Sequence, residues 1–399
     1  MRTNARANHI FRFDRSRSPC ALSAVVLCIA PALILIAPSA SAQIVLNRPS
    51  AIITIEGYGN LTTGGTIGAG SNLGAAPDTV AFDGAARVLA RLITPTGPNI
   101  GVRVVAETSN DNFRVSEASL LLFGSGGRLE IGKRMGLPDV LTGYAPNSFT
   151  FTTAEFGPPT GRTLDPGGGL QTQFLRTALR SRVESLAARG VTASLFNDES
   201  AKILYVLPKR NGWLGGLSYS PNAEDGRFDR LVQLGFVHET YWHQNIWRWG
   251  GTYAHARANV HDAGTSYRDL NSVSLGTSVS LNDSVDLAVS GSYDGTGGAP
   301  PASNGRSTAV AWGVTASLNY NSGPWTLGGY YQLATQPETA EPGTSARLSA
   351  FELGASYRFT TRLRLYGAWF IYHLSNQGRS SDAIAGTGSV VMLGVRAAL

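Results

Sequence analysis

The chain has little cysteine and few long apolar stretches. Its two cysteines are Cys20 and Cys28, so the 357 residues after Ala42 contain none. A chain without cysteine in this part is not a disulfide scaffold. No stretch after Ala42 approaches 18 consecutive apolar residues, which excludes a membrane-spanning helix there. Charge is also scarce, since Asp, Glu, Lys and Arg make up only 15% of the chain.

The first 42 residues have the pattern of a secretory signal peptide. A stretch that is basic up to Arg17 is followed by an apolar stretch, which ends in Ala40-Ser41-Ala42. We therefore expect residues 1–42 to be a signal peptide and residues 43–399 to form the exported domain. The first segment holds five arginines and one aspartate, so the rest carries 28 basic and 26 acidic residues. This even balance gives no indication of nucleic-acid binding.

Apolar and polar residues alternate along most of the exported domain. In RLRLYGAWFIYHL (362–374), Leu363, Leu365 and Trp369 fall on one side, and Arg362 and Arg364 fall on the other. A period of two predicts a β-strand with two unlike faces. The apolar face would meet a protein core in a soluble sandwich, but lipid in a membrane barrel. Sixteen such segments are predicted: 51–59, 85–93, 99–107, 113–123, 127–135, 201–207, 211–219, 229–238, 245–255, 270–281, 284–293, 308–320, 324–333, 347–359, 362–373 and 388–399.

The connections between these segments alternate between short and long. Tight turns such as Gly124-Ser125-Gly126 and Asn282-Asp283 alternate with longer loops, of which 136–200 is the longest. Short periplasmic turns and longer extracellular loops are typical of outer-membrane barrels. Trp and Tyr also gather near the strand ends, as they do at membrane interfaces. The sequence therefore predicts an all-β fold, a 16-stranded antiparallel transmembrane β-barrel.

Three stretches resemble the general porins of Gram-negative bacteria. ITIEGYGNL (53–61) resembles the first porin strand, and GRLEIGKRMG (127–136) resembles the segment before the pore-constricting third loop. KILYVLPKRNGWLGGLSYSP (202–221) resembles the porin hairpin that follows that loop. The resemblance implies a homotrimer in the outer membrane, in contact with lipid and lipopolysaccharide. It also implies passive diffusion of small hydrophilic solutes and ions, through a lumen into which the third loop, residues 136–200, folds.

The later part of this long loop has helical spacing. In QFLRTALRSRVESLAARG (173–190), Leu175, Leu179, Val183 and Leu186 fall on one side. Such a helix would pack in the mouth of the barrel or on a surface between subunits. Its arginines are equally consistent with a solvated face.

Strand phase and the loop together predict the charged constriction of the pore. The strand phase directs four arginines of a basic wall into the lumen: Arg87, Arg91, Arg103 and Arg134. The loop supplies three acids that would face this wall: Asp139, Glu155 and Asp165. Opposed charges of this kind would create a transverse field across the pore. Alternatively, some of the acids cap turns or attach the loop to the wall by salt bridges.

The sequence gives no indication of an enzyme. It contains no G-x-S-x-G, H-E-x-x-H or G-x-x-x-x-G-K-[ST] motif. His238, His243, His255 and His261 lie at predicted strand ends and in a loop, so we expect no metal site, and we expect no cofactor. Three other functions remain open: a substrate-selective channel for sugars or anions, a soluble secreted β-sandwich that binds glycans, and a barrel hydrolase that uses a His with a Ser.

Overall fold

In the computed structural model, the described part of the chain consists mainly of β-strands. The structure describes residues 43–48, 50–67, 80–109, 112–141, 152–155, 162–164, 186, 198–223, 226–259, 268–297, 310–337, 345–377 and 386–398, so the predicted signal peptide lies outside it. The first strands are β1 (Gln43–Arg48), β2 (Ala51–Ile67), β3 (Val80–Leu92), β4 (Asn99–Ser109), β5 (Asn112–Gly124), β6 (Gly127–Lys133), β7 (Thr152–Glu155), β8 (Arg162–Leu164) and β9 (Ala201–Val206). The others are β10 (Trp213–Asn222), β11 (Phe228–Trp242), β12 (Asn245–Ala258), β13 (Leu270–Leu281), β14 (Val285–Gly295), β15 (Ala311–Ser322), β16 (Trp325–Pro337), β17 (Ser345–Arg358), β18 (Leu363–Gln377) and β19 (Gly386–Ala398). A short helix, α1 (Leu137–Val140), follows β6.

Sixteen of the strands form one closed antiparallel barrel. Consecutive strands pair from β2 to β6 and from β9 to β19, and β6 pairs with β9. The barrel closes between β19 and β2, where Ser389 is opposite Ile67 and Ala398 is opposite Tyr58. Closure removes the unpaired edges that an open sheet would expose. The predicted 16-stranded antiparallel barrel is confirmed, and each predicted segment falls on one of its strands.

Three short strands were not predicted. β1 pairs along the first six residues of β2, with Gln43 opposite Glu56 and Arg48 opposite Ala51. β7 and β8 form a separate two-stranded sheet within residues 136–200. These strands are three to six residues long, too short for an alternating pattern to stand out in the sequence.

The two faces of the barrel wall differ as the alternation predicts. On β4, Val102 is 48% exposed, whereas the adjacent Arg103 is 1% exposed. Outward-facing apolar side chains are exposed on other strands too, among them Val88, Ile131, Leu217, Leu234, Leu275, Val314, Leu327, Leu353 and Leu365. In a soluble sandwich these side chains would pack against a second sheet, so the barrel excludes that alternative. Within the described ranges, no helix is long and apolar enough to cross a membrane.

Aromatic side chains mark the end of the barrel that carries the short turns. Trp213, Trp247 and Trp325 are exposed next to these turns. The ring of Trp325 packs edge-on against Tyr357, with 4.8 Å between the centroids. Exposed Trp and Tyr of this kind lie at the headgroup layer of a membrane.

Candidate pore and constriction

Buried charges line the inner wall formed by β2 to β6. Arg87 forms an ion pair with Glu56, which is directly opposite in register. Arg103 Nη1 lies 3.5 Å from Glu130 Oε2 and 3.6 Å from Glu117 Oε2. These side chains are only 1% to 7% exposed. Charges buried to this degree are stable only when opposite charges lie beside them.

Glu130 is the centre of this network. Arg134 Nε lies 3.1 Å from Glu130 Oε2, and Arg134 also pairs with Glu117. Arg128 Nε lies 2.7 Å from Glu130 Oε1. Glu130 is therefore surrounded by three arginines, with Arg103 as the third. The four arginines and three glutamates of this region form what we call the wall network, which has a net charge of +1: Arg87, Arg103, Arg128, Arg134, Glu56, Glu117 and Glu130.

The predicted wall arginines all lie on the inner side of β3, β4 and the residues directly after β6. Arg87, Arg103 and Arg134 are buried within the wall network. Arg91 is partly exposed, and its guanidinium carbon lies 5.8 Å from the ring centroid of Phe123. Arg87, Arg103 and Arg134 thus contact glutamates of the wall, whereas the contact of Arg91 is with Phe123.

The strand phase also directs Glu130 inward, but sequence reasoning did not predict that glutamates pair with the wall arginines, and a bulge on β5 explains why Glu117 was missed. Val105 is opposite Glu117 and Ala106 is opposite Val115, which leaves Ser116 as an extra residue. Read at a constant period of two, Glu117 shares the outward face of Val115. The bulge turns Glu117 inward instead. Glu56 and Glu130 fall on the inward face of their strands without a bulge. The alternation of the sequence therefore already indicated that these two side chains face inward.

The three predicted loop acids are positioned only in part. Asp139 belongs to α1 and Glu155 ends β7, but the side chains of both lie outside the described part of the structure. Asp165 lies outside the described residues altogether. What the three carboxylates face therefore stays a prediction.

The start of the long loop folds into the barrel and packs on its inner wall. Leu137 and Leu141, at the two ends of α1, form a buried apolar cluster with Leu204, Val206 and Val237 of β9 and β11. This cluster attaches α1 to the wall by burial of apolar surface. The expected inward fold of the third loop is thus seen in its first residues.

Two glycines make room for α1. Gly216 and Gly235 are opposite each other on β10 and β11. A Cβ on Gly216 would lie 2.8 Å from Leu137 Cδ1, and a Cβ on Gly235 would lie 2.8 Å from Leu141 Cδ1. The backbone N–H of Leu137 also donates a 3.0 Å hydrogen bond to Gln233 Oε1. Apolar contact and this polar contact together fix α1 in place.

A second inner surface is apolar, which is unusual for a wall that faces water. Buried inward-facing side chains of β16 to β19, with one residue of β3, form this apolar wall: Ala81, Tyr330, Ala334, Ala346, Leu348, Ala350, Tyr366, Ala368, Phe370, Tyr372, Leu374, Val390 and Met392. Leu186 of the long loop belongs to the same cluster and is 1% exposed. In the strand order of the barrel, β10 and β18 are eight strands apart and lie on opposite sides. Leu137 and Leu186 therefore contact opposite walls.

Comparisons with solved structures agree with this architecture. The outer-membrane OmpT of Vibrio cholerae is 12% identical, with a TM-score of 0.56 over 89% of this chain and 100% of that chain. An anion-selective porin from Comamonas acidovorans is 15% identical, with a TM-score of 0.55 over 88% of this chain and 100% of that chain. A triple mutant of the Rhodopseudomonas blastica porin is 14% identical, with a TM-score of 0.52 over 87% and 100%. At these identities the likeness concerns the fold.

Sequence comparison gives the family. No curated protein is significantly similar to the chain. Residues 24–377, however, match the sequence profile of the Gram-negative porins. The match covers most of the chain, including the wall network and the long loop. The chain therefore belongs to the Gram-negative porin family.

Proposed function

We propose that residues 136–200 cross the lumen of this porin and narrow it. The chain is an outer-membrane channel for passive diffusion, as its family and barrel fold indicate. The observation that supports the narrowing is the position of two described parts of the loop. Leu137 contacts the wall of β9 to β11, and Leu186 contacts the apolar wall on the other side. Contacts of this one segment with opposite walls support a path across the lumen.

Cross-linking tests this proposal, because the chain has no cysteine after residue 42. In the protein produced from Gln43, Leu186→Cys combined with Met392→Cys should be joined by a short thiol-specific cross-linker. Met392 is 1% exposed on the inner face. The matched control combines Leu186→Cys with Leu393→Cys. Leu393 directly follows Met392 in the chain but is 59% exposed on the outer face, so this pair should not be cross-linked. Equal cross-linking of the two pairs, or none in the first, would contradict the crossing.

We also propose that the narrow part of the pore is charged on both sides. The wall would contribute Arg87, Arg91, Arg103 and Arg134, and the loop would contribute Asp139, Glu155 and Asp165. Three glutamates compensate most of the wall charge, so the transverse field comes from the remaining positive charge and from the loop acids. Single-channel recordings of Glu155→Gln test this role. An unchanged conductance and ion preference would remove Glu155 from the constriction.

The assembly and export of the chain are further proposals. We propose a homotrimer in the outer membrane, in contact with lipid and lipopolysaccharide. A trimer form has been described for in-vitro folded OmpT of Vibrio cholerae, which shares this fold. We propose that residues 1–42 are removed on export, because they have the pattern of a secretory signal peptide. The mass of the protein purified from outer membranes tests the cleavage, and a mass that includes residues 1–42 would contradict it.

A further inference from the structure

An apolar groove lies on the outer face of the barrel wall, at β9 to β11. Its floor is Gly215 of β10, which has the outward phase of the exposed Leu217 and leaves a gap where a side chain would stand. Leu207, Leu217 and Phe236 line this gap. The groove has a volume of about 760 Å³, within the range of about 300–1,000 Å³ that is usual for ligand pockets. We call it the Gly215 groove.

Both sides of the Gly215 groove are fixed by contacts of aromatic side chains. The ring of Trp213 packs edge-on against Trp249, with 5.2 Å between the centroids. On the other side, the hydroxyl of Tyr205 donates a 2.5 Å hydrogen bond to the carbonyl oxygen of Gly126 in a short turn. The shape of the groove is therefore set by the protein itself, which lowers the entropic cost of binding a ligand there.

The Gly215 groove has the length of one leaflet of a membrane. It begins at Trp213, directly after the turn at Asn211 and Gly212, and extends to Leu217 and Leu234, which are opposite each other. Four residues of a strand span about 13 Å, close to half of a hydrocarbon core of about 30 Å. Because the turn belongs to the short-turn end of the barrel, this half is the periplasmic leaflet. The lipids of that leaflet are phospholipids.

A cation lies at the periplasmic end of the groove. Arg210 is opposite Trp213, and their backbones exchange hydrogen bonds of 2.9 and 2.8 Å. Directly opposite side chains lie on the same face of a sheet, so Arg210 shares the outward face of Trp213. Asn211 and Gly212 connect the two with positive φ angles of 48° and 82°, and Asn-Gly is a favoured sequence of such tight turns. Arg210 is exposed and lines the groove.

The charge of Arg210 is not compensated within the described part of the protein. The nearby carboxylate is that of Glu239, whose backbone N–H donates a hydrogen bond to the carbonyl oxygen of Gly212. This carboxylate already holds two cations, with Lys209 Nζ at 2.6 Å and Arg248 Nε at 2.7 Å. Arg210 forms no ion pair with a carboxylate of the described residues. Its guanidinium can therefore bind an anionic group of the headgroup layer.

Another apolar groove on the outer face lacks such a cation. It lies on β13 to β17, has a volume of about 810 Å³, and contains Gly329 between the exposed Leu327 and Tyr331. Its described lining residues include no Lys or Arg. Apolar surface of this kind accepts any acyl chain. The Gly215 groove differs because a cation lies at headgroup depth at its end.

We propose that the Gly215 groove binds a phospholipid of the periplasmic leaflet, with one acyl chain on Gly215 and the phosphate on Arg210. A guanidinium presents paired N–H donors that match two phosphate oxygens. The chain covers apolar surface of Leu207, Leu217 and Phe236. An anionic headgroup fits better than a zwitterionic one, since the carboxylate of Glu239, which could hold an ammonium group, already pairs with two cations. The proposal rests on the membrane placement of the barrel and does not require conduction.

Native mass spectrometry of the detergent-purified protein with added phosphatidylglycerol tests the phosphate contact. We expect one lipid to bind tightly to each wild-type barrel. Arg210→Gln should weaken this binding about ten-fold, because it removes a charge-assisted pair of hydrogen bonds. Arg347→Gln is the matched control, because Arg347 is also outward-facing but lies at the long-loop end of β17. It makes the same change in charge and should leave binding unaltered.

A second pair of variants tests the groove itself. Gly215→Val fills the floor of the groove and should weaken phosphatidylglycerol binding, although Arg210 remains. Gly329→Val is the matched control in the other groove. The nearest atom to an added Cβ lies at 3.3 Å for Gly215 and at 3.4 Å for Gly329, so the two substitutions are similarly tight. Diacylglycerol with the same chains lacks the phosphate and should bind the wild type and Arg210→Gln equally weakly.

The outcomes separate the lipid site from the channel. Equal phosphatidylglycerol binding by Arg210→Gln and Arg347→Gln would overturn the phosphate contact and with it the proposed site. Equal binding by Gly215→Val and Gly329→Val would overturn the place of the acyl chain. If Gly215→Val fails to assemble, Arg210→Gln and diacylglycerol decide. Planar-bilayer conductance of the same preparations is measured alongside: a conducting barrel without lipid preference overturns the site alone, and a silent barrel that keeps the preference overturns the channel alone.

Discussion

Glu130 shows at the scale of the residue how the inner wall tolerates buried charge. Its carboxylate contacts three arginines, and its side chain is 1% exposed. The arginines cannot lose their charge at accessible pH. Their burial is therefore possible only because glutamates of the same wall lie beside them.

Removal of this carboxylate should destabilise the barrel strongly. Glu130→Gln leaves three buried arginines with too little negative charge, and we expect the free energy of unfolding to fall by about 3–5 kcal/mol. Urea unfolding of the protein in lipid vesicles measures the change. Glu107→Gln is the control, because Glu107 pairs with the exposed Arg114 at 2.9 Å and should cost at most about 1 kcal/mol. Equal losses in the two variants would contradict the central role of Glu130.

From the sequence, the face on which these residues lie can be predicted better than the residues with which they pair. A period of two places Arg87 and Arg103 on the inner wall, and both lie there. It does not tell which residues of other strands are opposite, because register depends on turns and bulges. The extra residue Ser116 changes the face of Glu117, and no local pattern in β5 announces it.

At the scale of the element, α1 is held by the fit between its leucines and the glycines of the wall. Gly235 lies so close to α1 that a Cβ would be 2.8 Å from Leu141 Cδ1 and 2.9 Å from Thr252 Cγ2. A methyl group there has to displace one of these side chains. The glycine thus serves packing here rather than a special backbone conformation.

A single methyl group at this position should loosen α1. Gly235→Ala overpacks the contact, and we expect a loss of about 1 kcal/mol in the free energy of unfolding. Gly65→Ala is the control, because a Cβ on Gly65 meets nothing within 4 Å. Alanine also reduces the freedom of the unfolded chain, so the control should be neutral or slightly stabilising. A stability of Gly235→Ala equal to that of the control would show that α1 does not press on this wall.

The strands themselves could be predicted, but their ends could not. β2 continues to Ile67, although the predicted segment ends at 59. Its later residues, NLTTGGTI, are mostly polar, yet their backbones pair with β3 and β19. Backbone pairing needs no apolar side chains, so strands extend beyond the apolar zone that reveals them. The Leu186 contact was equally hidden, since helical spacing left open which surface the segment covers.

At the scale of the whole molecule, the fold follows from two global conditions. Sixteen strands, in each of which apolar and polar residues alternate, have to place their apolar faces in lipid. The sheet also has to close to remove its edges. Both conditions act on every strand at once, so errors in single boundaries do not change the architecture. The described start of the long loop is placed instead by contacts with particular wall residues, such as Gly216 and Gly235.

Planar-bilayer conductance of the purified, unheated protein tests most directly whether the barrel encloses a water-filled channel. We expect discrete steps of current that are linear in voltage and grow in proportion to the conductivity of the KCl solution, because ions cross in water. Closure in three equal steps would support the homotrimer, and single steps would contradict it. Protein that inserts but gives no steps at any KCl concentration, or that stays soluble without detergent, would contradict the channel.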